Sequence, residues 1–500
     1  MLISALNGQL TLQWDAVSGV DTYRIYLGET VQIDISDPLS YTLTADTAST
    51  AYTFSGLING HAYYAVVTAW ENGQEGAPGQ EVFATPMAHL NDTGMSLCGD
   101  YAWWYSGNHQ NLLDCQQVAS SAIAEGEDAE GDPVPAGQDG WFGRDALDQA
   151  GTLEKTGQGE VGFDFTKLDE DGNALIATAT SYACVRDNRT GLVWENKQND
   201  GGVHDLNHTY SWYNSDSATN GGTAGAQNGG TCPGAGCDTE AFINMVNIEQ
   251  LCGVSDWRLP TVTELFSLAH LGRSTPAADW LFFSDTLSSE YWTATSNASN
   301  NGTIAWSVDF RYGMMGTDGT NNDKIQGAYP VRLVSGGGRS AGQSVTCQTE
   351  NSAIPASTPS EAFLDHLDGT VTDTTTGLMW KVCSESQTWN GSGCDGGVAN
   401  YTWLEASRRV SAVNTATFAG YGDWRMPDLK ELASIVEHRC STPSINQAIF
   451  KGVVAEWYWS SSPHYSLTSA AWAIDFSQGG NYPNGKSSSL ALRLVRGGEQ

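Results

Sequence analysis

The strings SDWRLPTVTEL (255–265) and GDWRMPDLKEL (422–432) spell Asp-Trp-Arg-x-Pro-x-x-x-Glu-Leu twice in one chain. The same companions surround each copy in the same order. The first set reads TGLVW (190–194), DWRLP (256–260), YWTATS (291–296), AWSVDF (305–310) and PVRLV (330–334). The second reads TGLMW (376–380), DWRMP (423–427), YWSSS (458–462), AWAIDF (471–476) and LRLVR (492–496). Trp257 to Trp292 and Trp424 to Trp459 both span 35 residues. A period of about 170 residues is domain-sized, so the chain carries two copies of one domain rather than solenoid units.

The block after DWR has a local physical reading. Thr261-x-x-Glu264 and Asp428-x-x-Glu431 are capping-box spacings directly after Pro260 and Pro427, which predicts a helix start in each copy. Leu265, Leu268 and Ala269, and in the second copy Leu432, Ile435 and Val436, recur at i, i+3, i+4 and form one buried stripe. Glu264 and Glu431 therefore have structural work. Trp257 and Trp424 are expected beneath the helix, with Arg258 and Arg425 tying a carboxylate or loop carbonyl. In AWSVDF and AWAIDF alternation puts Trp306, Val308 and Phe310, or Trp472, Ile474 and Phe476, on one strand face and Asp309 or Asp475 on the other. We expect those acids to pair with Arg332 and Arg493. Hydrogen bonds from a loop and bound calcium are the alternatives, and for calcium no dense string of oxygen ligands accompanies either acid.

At 500 residues the chain exceeds one hydrophobic core, and 56 Gly with 18 Trp against 23 Lys plus Arg favours turn-rich, aromatic-packed β structure. A formal charge of −34 excludes a nucleic-acid partner and opposes binding to anionic membranes. No window reaches a membrane span, and the N-terminus lacks the basic start and apolar run of a signal peptide. Ten cysteines without a C-x-x-C pair read as disulfides in an oxidising compartment, with the export signal removed or replaced. Cys232/Cys237 and Cys383/Cys394 close short loops. Cys98/Cys115, Cys184/Cys252 and Cys347/Cys440 would use up the rest, a pairing the sequence leaves open.

Residues 1–87 read as alternating strands, with Leu57-x-x-Gly60-x-x-Tyr63 before a strand whose Tyr63, Ala65, Val67 and Ala69 share one face. With Trp14 and Tyr23 as core aromatics, this resembles a fibronectin type III domain, a spacer in secreted bacterial proteins. Residues 88–160 read as an acidic, Gly/Pro-rich connector clipped by Cys98 and Cys115, whose Trp103, Trp104, Trp141 and Phe142 are too apolar to hang free. A Ser/Thr/Pro-rich linker spans 338–362, between repeats placed at 161–337 and 363–500.

The five ordered blocks resemble the Lcl C-terminal domain family, long catalogued as a domain of unknown function in secreted and surface proteins of Gram-negative bacteria. The family implies a C-type-lectin-like scaffold of the formylglycine-generating-enzyme type, and for its namesake adhesin attachment to glycosaminoglycans. The expected fold class is therefore multidomain: an all-β fibronectin type III sandwich followed by two α+β C-type-lectin-like domains. The charge disfavours sulfated polysaccharide, so a neutral glycan, a protein or a cation-bridged surface fits better.

The leading expectation is an extracellular or cell-surface binding and adhesion protein whose loops meet a glycan or protein. Candidate contacts are Trp389, Asn390, His464, Tyr465, Asn481 and Tyr482 in the second copy, and Trp212, Tyr213, Tyr312 and Asn321 in the first. Aromatic faces stack on sugars and Asn supplies donor and acceptor. Two copies in tandem add avidity if both engage one surface. The alternative is a self-assembling subunit of a fibre or appendage. Catalysis is not expected: no Ser-His-Asp order, HExxH or P-loop occurs, and His204-x-x-x-His208 lies in a glycine-flanked loop without a counterpart in the other copy. No cofactor is expected apart from the calcium alternative. The stretch 457–496 also suits a variable display surface.

Overall fold

The computed structural model describes residues 1–6, 8–57, 61–86, 89–99, 112–115, 125–127, 133–234, 236–300, 302–316, 322–337 and 343–497. Trp103 and Trp104 lie outside them. The described chain is mostly β, in several domains.

Alternation builds the N-terminal domain. Leu10 and Leu12 point inward from strand Gln9–Gln13, which pairs with Leu2–Leu6 and Ala51–Phe54. A second antiparallel sheet, centred on Thr22–Gly28 and Tyr63–Glu71, supplies Tyr23, Ile25, Leu27, Tyr63, Ala65 and Val67 to the same core. Trp14 meets Tyr23 edge to face at 5.4 Å, and Val17 N donates to the Tyr23 hydroxyl at 2.8 Å.

Both repeats show one topology. In the first, Phe165–Leu168, Cys184–Asp187, Val193–Glu195 and Val334–Ser335 form a four-stranded antiparallel sheet, and Glu290–Ser296, Ala305–Asp309 and Met314–Gly316 a three-stranded one. In the second the strands are Phe363–Asp365, Thr370–Asp373, Met379–Lys381 and Val495–Arg496, then Trp457–Pro463, Ala470–Asp475 and Asn481–Gly485. The helices are α1 (Gly143–Gln149), α2 (Thr239–Glu249), α3 (Val262–Ser267), α4 (Trp403–Thr415) and α5 (Leu429–Ser434). The repeated strings meet in space. Arg258 exchanges two backbone hydrogen bonds with Val334 at 3.0 Å, and Arg425 does the same with Val495 at 2.8 and 3.0 Å.

Both predicted capping boxes are present, on α3 through Thr261 and Glu264 and on α5 through Asp428 and Glu431. Trp257 and Trp424 are buried, their ring N–H groups donating to Leu251 O and Phe418 O at 3.1 Å. Asp309 and Asp475 do not pair with Arg332 and Arg493. Each acid turns its own hairpin, Asp309 Oδ1 accepting from Arg311 N at 2.7 Å and Asp475 Oδ1 from Ser477 N at 2.8 Å. The two buried arginines instead hold backbone carbonyls. Arg332 donates to Glu195 O at 2.8 Å, and Arg493 to Val382 O at 2.7 Å and to Lys381 O.

The repeats are not beads on a linker. One hydrophobic core contains Trp194, Leu265, Tyr291, Trp306 and Phe310 from the first and Trp380, Leu432, Tyr458, Trp472 and Phe476 from the second, and each repeat keeps a private core beyond its three-stranded sheet. Helices α3 and α5 touch across this seam. Asn481 stitches it: Oδ1 accepts from Met315 N at 2.5 Å and Nδ2 donates to Gly313 O at 3.3 Å. The expected linker is also packed, since Ser357 N and Thr358 N donate to fully buried Glu437 at 3.1 and 2.6 Å.

His438 lies at the seam, 3% exposed, 5.2 Å from the Trp306 ring, with no hydrogen-bond partner on either ring nitrogen. Burial pushes its pKa down from 6.5 to about 4. Between those values the unfolded chain takes up a proton that the folded chain refuses, so stability present above pH 6.5 is lost as pH falls. Urea unfolding of wild type and His438→Leu should show the wild type losing about 2 kcal/mol relative to the variant between pH 7 and pH 5. A gap that does not change with pH contradicts this.

Candidate functional site

The connector read from sequence as extended is a wedge between the repeats. Leu271 N donates to Thr93 O at 2.7 Å in the first repeat, and Lys430 Nζ, from α5 of the second, donates to Asp92 O at 2.6 Å and Ser267 O at 2.9 Å. Asn91 Nδ2 donates to Asp187 Oδ2 at 2.6 Å. Phe142 packs as its apolar character implies, its ring 5.4 Å from the Arg425 guanidinium.

A cavity of about 80 Å³ remains where the three segments meet, walled by Asn91, Asp92, Asp139, Phe142 and Arg144 of the connector, Arg189 of the first repeat, and Arg425, Asp428, Glu431 and Ser461 of the second. Asp92, Asp139 and Asp428 each place a carboxylate oxygen within 4.8 Å of the others, the one such grouping among the described residues. Local structure aims each acid. Asp428 is the N-cap of α5, and Asp139 Oδ2 accepts from Thr93 Oγ1 at 2.8 Å and Ser462 Oγ at 2.5 Å. Asp92 accepts from Thr93 N at 2.9 Å and Asp145 N at 2.8 Å. Gly143, at φ +70°, permits the last contact, because a Cβ there would sit 2.3 Å from Asp92 Oδ2.

These acids strain one another. Burial, then the Asp92 charge, push Asp139 up to about 7; burial, then Glu431, raise Asp428 well above the usual carboxylate range; burial raises Asp92. Burial also lowers Lys430 to about 8 against the pull of the acids. Crowded carboxylates of this kind hold a proton or a cation. Sequence reasoning missed Asp92, Asp139 and Lys430, and the apolar Trp141–Phe142 pair beside Asp139 was the available signal.

The sequence candidates for ligand contact scatter. Trp212 is fully buried with its ring N–H on Thr293 O at 2.9 Å, just as Trp403 donates to Ser460 O at 2.8 Å. Tyr210-Ser-Trp212 and Tyr401-Thr-Trp403 are thus a sixth repeated block, and Trp212 is scaffold. Tyr213 is half-buried and held through its backbone to Thr239. His464, 4% exposed, packs on Trp472 and Tyr465, and Asn481, 3% exposed, belongs to the seam. Tyr465 is half-buried and bonds the Ser274 hydroxyl across that seam. Trp389 is half-buried under Lys451, and exposed Asn390 donates to Asp395 Oδ1 at 2.8 Å. Tyr312 and Tyr482 are open, at 41% and 54% exposure. Asn321 lies outside the described residues.

The fold and the site together define a disulfide-stabilised, duplicated multidomain protein. All five disulfides pair as the spacing allowed: Cys98–Cys115, Cys184–Cys252, Cys232–Cys237, Cys347–Cys440 and Cys383–Cys394. They suit an oxidising environment. No helix among the described residues is long and apolar enough to cross a membrane. Residues 183–335 and 369–496, more than half of the chain, match the Lcl C-terminal domain, and the protein belongs to that family. No curated protein matches the chain. Solved structures similar to its N-terminal part include the FN1–FN3 domains of chicken contactin 1, at 14% identity over 17% of this chain and 30% of that one with a TM-score of 0.15. Another is a fibronectin type III domain of human contactin 1, at 15% identity over 17% of this chain and 72% of that one, also with a TM-score of 0.15.

Proposed function

We propose that this chain is an extracellular or cell-surface binding and adhesion protein, with its N-terminal domain a fibronectin type III spacer and its two repeats C-type-lectin-like. The supporting observation is the seam. Tyr312 and Tyr482 stand exposed beside the residues through which the two hairpins cross, Gly313 and Asn481, so open aromatic faces sit on one rigid platform. Such faces suit sugar rings or an apolar protein patch, and the acidic surface disfavours a sulfated glycan. Because the repeats share a core, they act as a single unit rather than as two heads on a flexible linker.

A glycan array and a cell-surface pull-down with the full chain, with and without calcium, test this reading. Tyr312→Ala with Tyr482→Ala should weaken capture at least tenfold, about 1.4 kcal/mol, while the melting temperature stays within a degree or two. Capture of nothing by the wild type, or equal capture by the double variant, rejects the platform. The fibre-subunit reading is favoured by one feature, the open apolar side of α2 at Ile248 (84% exposed) and Met245. Concentration-dependent polymers in sedimentation would select it.

A further inference from the structure

We propose that the cavity between connector and repeats is a calcium site that clamps the connector to the second repeat. Asp92, Asp139 and Asp428 bring one carboxylate oxygen each within 4.8 Å of the others. The donors they meet are neutral: backbone N–H groups of Thr93, Asp145 and Glu431, and hydroxyls of Thr93 and Ser462. The cavity wall also carries Arg189 and Arg144, the latter donating Nε to Gly162 O at 2.8 Å and pairing with Asp164; two further cations beside the acids make their hydrogen bonds to other groups. Arg425 holds both oxygens of Glu431 and also Gly497 O, and Lys430 holds the carbonyls of Asp92 and Ser267.

A second observation is independent of the acids. Asn91 walls the same cavity, is 2% exposed, and directs Nδ2 to Asp187, which leaves its buried Oδ1 with no hydrogen-bond partner. An unpaired amide oxygen inside a protein is costly unless something electropositive meets it. An amide side chain on the wall that also carries the three carboxylates offers an all-oxygen donor set, the type a hard cation takes. The cavity, about 80 Å³, has room for the ion with a few waters to complete its shell. Carboxylate-rich, only partly hydrated coordination favours Ca²⁺ over Mg²⁺, which is reluctant to shed its water.

The position explains what the ion does. Asp92 and Asp139 come from two parts of the connector and Asp428 caps α5, so a bound cation adds a link between segments already joined by Lys430 Nζ on Asp92 O and by the Ser462 hydroxyl on Asp139. The first repeat has Thr261 in place of Asp428, so the ion is expected in one copy only.

The test is calorimetric titration of the EDTA-treated full chain with calcium chloride, with thermal unfolding in calcium and in EDTA. One ion per chain, with a Kd on the order of 10⁻⁴ M or tighter and a melting point several degrees higher in calcium, is expected. Asp139→Asn and Asp428→Asn should each weaken binding at least tenfold. Asparagine caps a helix as well as aspartate does, and each change removes a like charge from a crowded site, so the calcium-free variants should melt no lower than wild type. Asp475→Asn, in a hairpin acid far along the chain, should bind as wild type does. Absence of a saturable heat, equal affinity for magnesium, or undiminished binding by both cavity variants overturns the proposal.

Discussion

Arg425→Met is expected to destabilise the second repeat by about 3–5 kcal/mol, whereas the matching Arg258→Met in the first should cost about 1 kcal/mol. The two arginines make the same bonds. Arg425 reaches both oxygens of Glu431 at 2.5 and 2.6 Å and Gly497 O at 2.9 Å, and Arg258 reaches Glu264 at 2.8 and 2.7 Å and Gly336 O at 2.8 Å. Their surroundings differ. The Arg425–Glu431 side chains are 7% and 8% exposed beneath Phe142, and the Arg258–Glu264 side chains 29% and 20%. Truncating a buried partner strands a carboxylate that is mostly shielded from solvent; at the more exposed pair, water screens the charge left behind. Chemical denaturation of both variants, followed by tryptophan fluorescence, checks the difference. Equal losses would mean that the connector does not shield the second pair.

Glu195→Gln is expected to cost about 3–5 kcal/mol, with a pH dependence that identifies the cause. Glu195 is fully buried, accepts from Lys197 Nζ at 2.7 Å and Leu333 N at 2.9 Å, and lies 2.8 Å from His204 Nδ1. Glutamine keeps the shape and one acceptor but leaves the Lys197 ammonium, 1% exposed, without a counter-charge. Burial alone would raise the Glu195 pKa, but Lys197 and His204 outweigh it and bring the value from 4.5 to about 2. A depressed carboxylate stabilises the fold above its unfolded pKa and loses that contribution as pH falls through its folded pKa. Glu195 also raises the His204 pKa, so the gap between wild type and variant should grow as pH falls below neutral, be fullest at about pH 5, and close as pH drops from about 4.5 toward about 2. A gap constant down to about pH 3 would assign the loss to packing instead.

The second repeat solves the same problem with exchanged residues: Lys381 Nζ donates to buried Glu385, which also accepts from Arg409 Nε at 2.8 Å. No block alignment anticipates this. The charges occupy different positions along the string, the carboxylate following Trp194 directly in the first copy and the lysine following Trp380 directly in the second. Trp212 shows the converse. The sequence suggests a loop aromatic there; residues 213–237 have no equivalent after Trp403, and that insertion hides the spacing. The ring-to-carbonyl bonds of Trp212 and Trp403 reveal the match.

The sequence offers Asp309 and Asp475 as alternatives for calcium, whereas the acids that converge are elsewhere. Asp92, Asp139 and Asp428 are separated by 47 and 289 residues, and no local pattern links them. Both hairpin acids instead satisfy their own turns. An acid two residues from a free backbone N–H closes an Asx turn without help from the rest of the chain.

By itself the sequence determined what is local or repeated. The capped starts of α3 and α5, the buried DWR tryptophans, the strand alternation and the short disulfide loops each depend on residues a few positions apart, where backbone geometry leaves few choices. Duplication made those signals legible by printing them twice. Tertiary structure alone decided that the two copies share one core, that the connector is wedged between them, and that carboxylates distant in sequence crowd one cavity. Those outcomes follow from which apolar faces find each other on collapse. Burial is non-directional, so the chain's periodicity shows that a face must be covered but not which segment covers it.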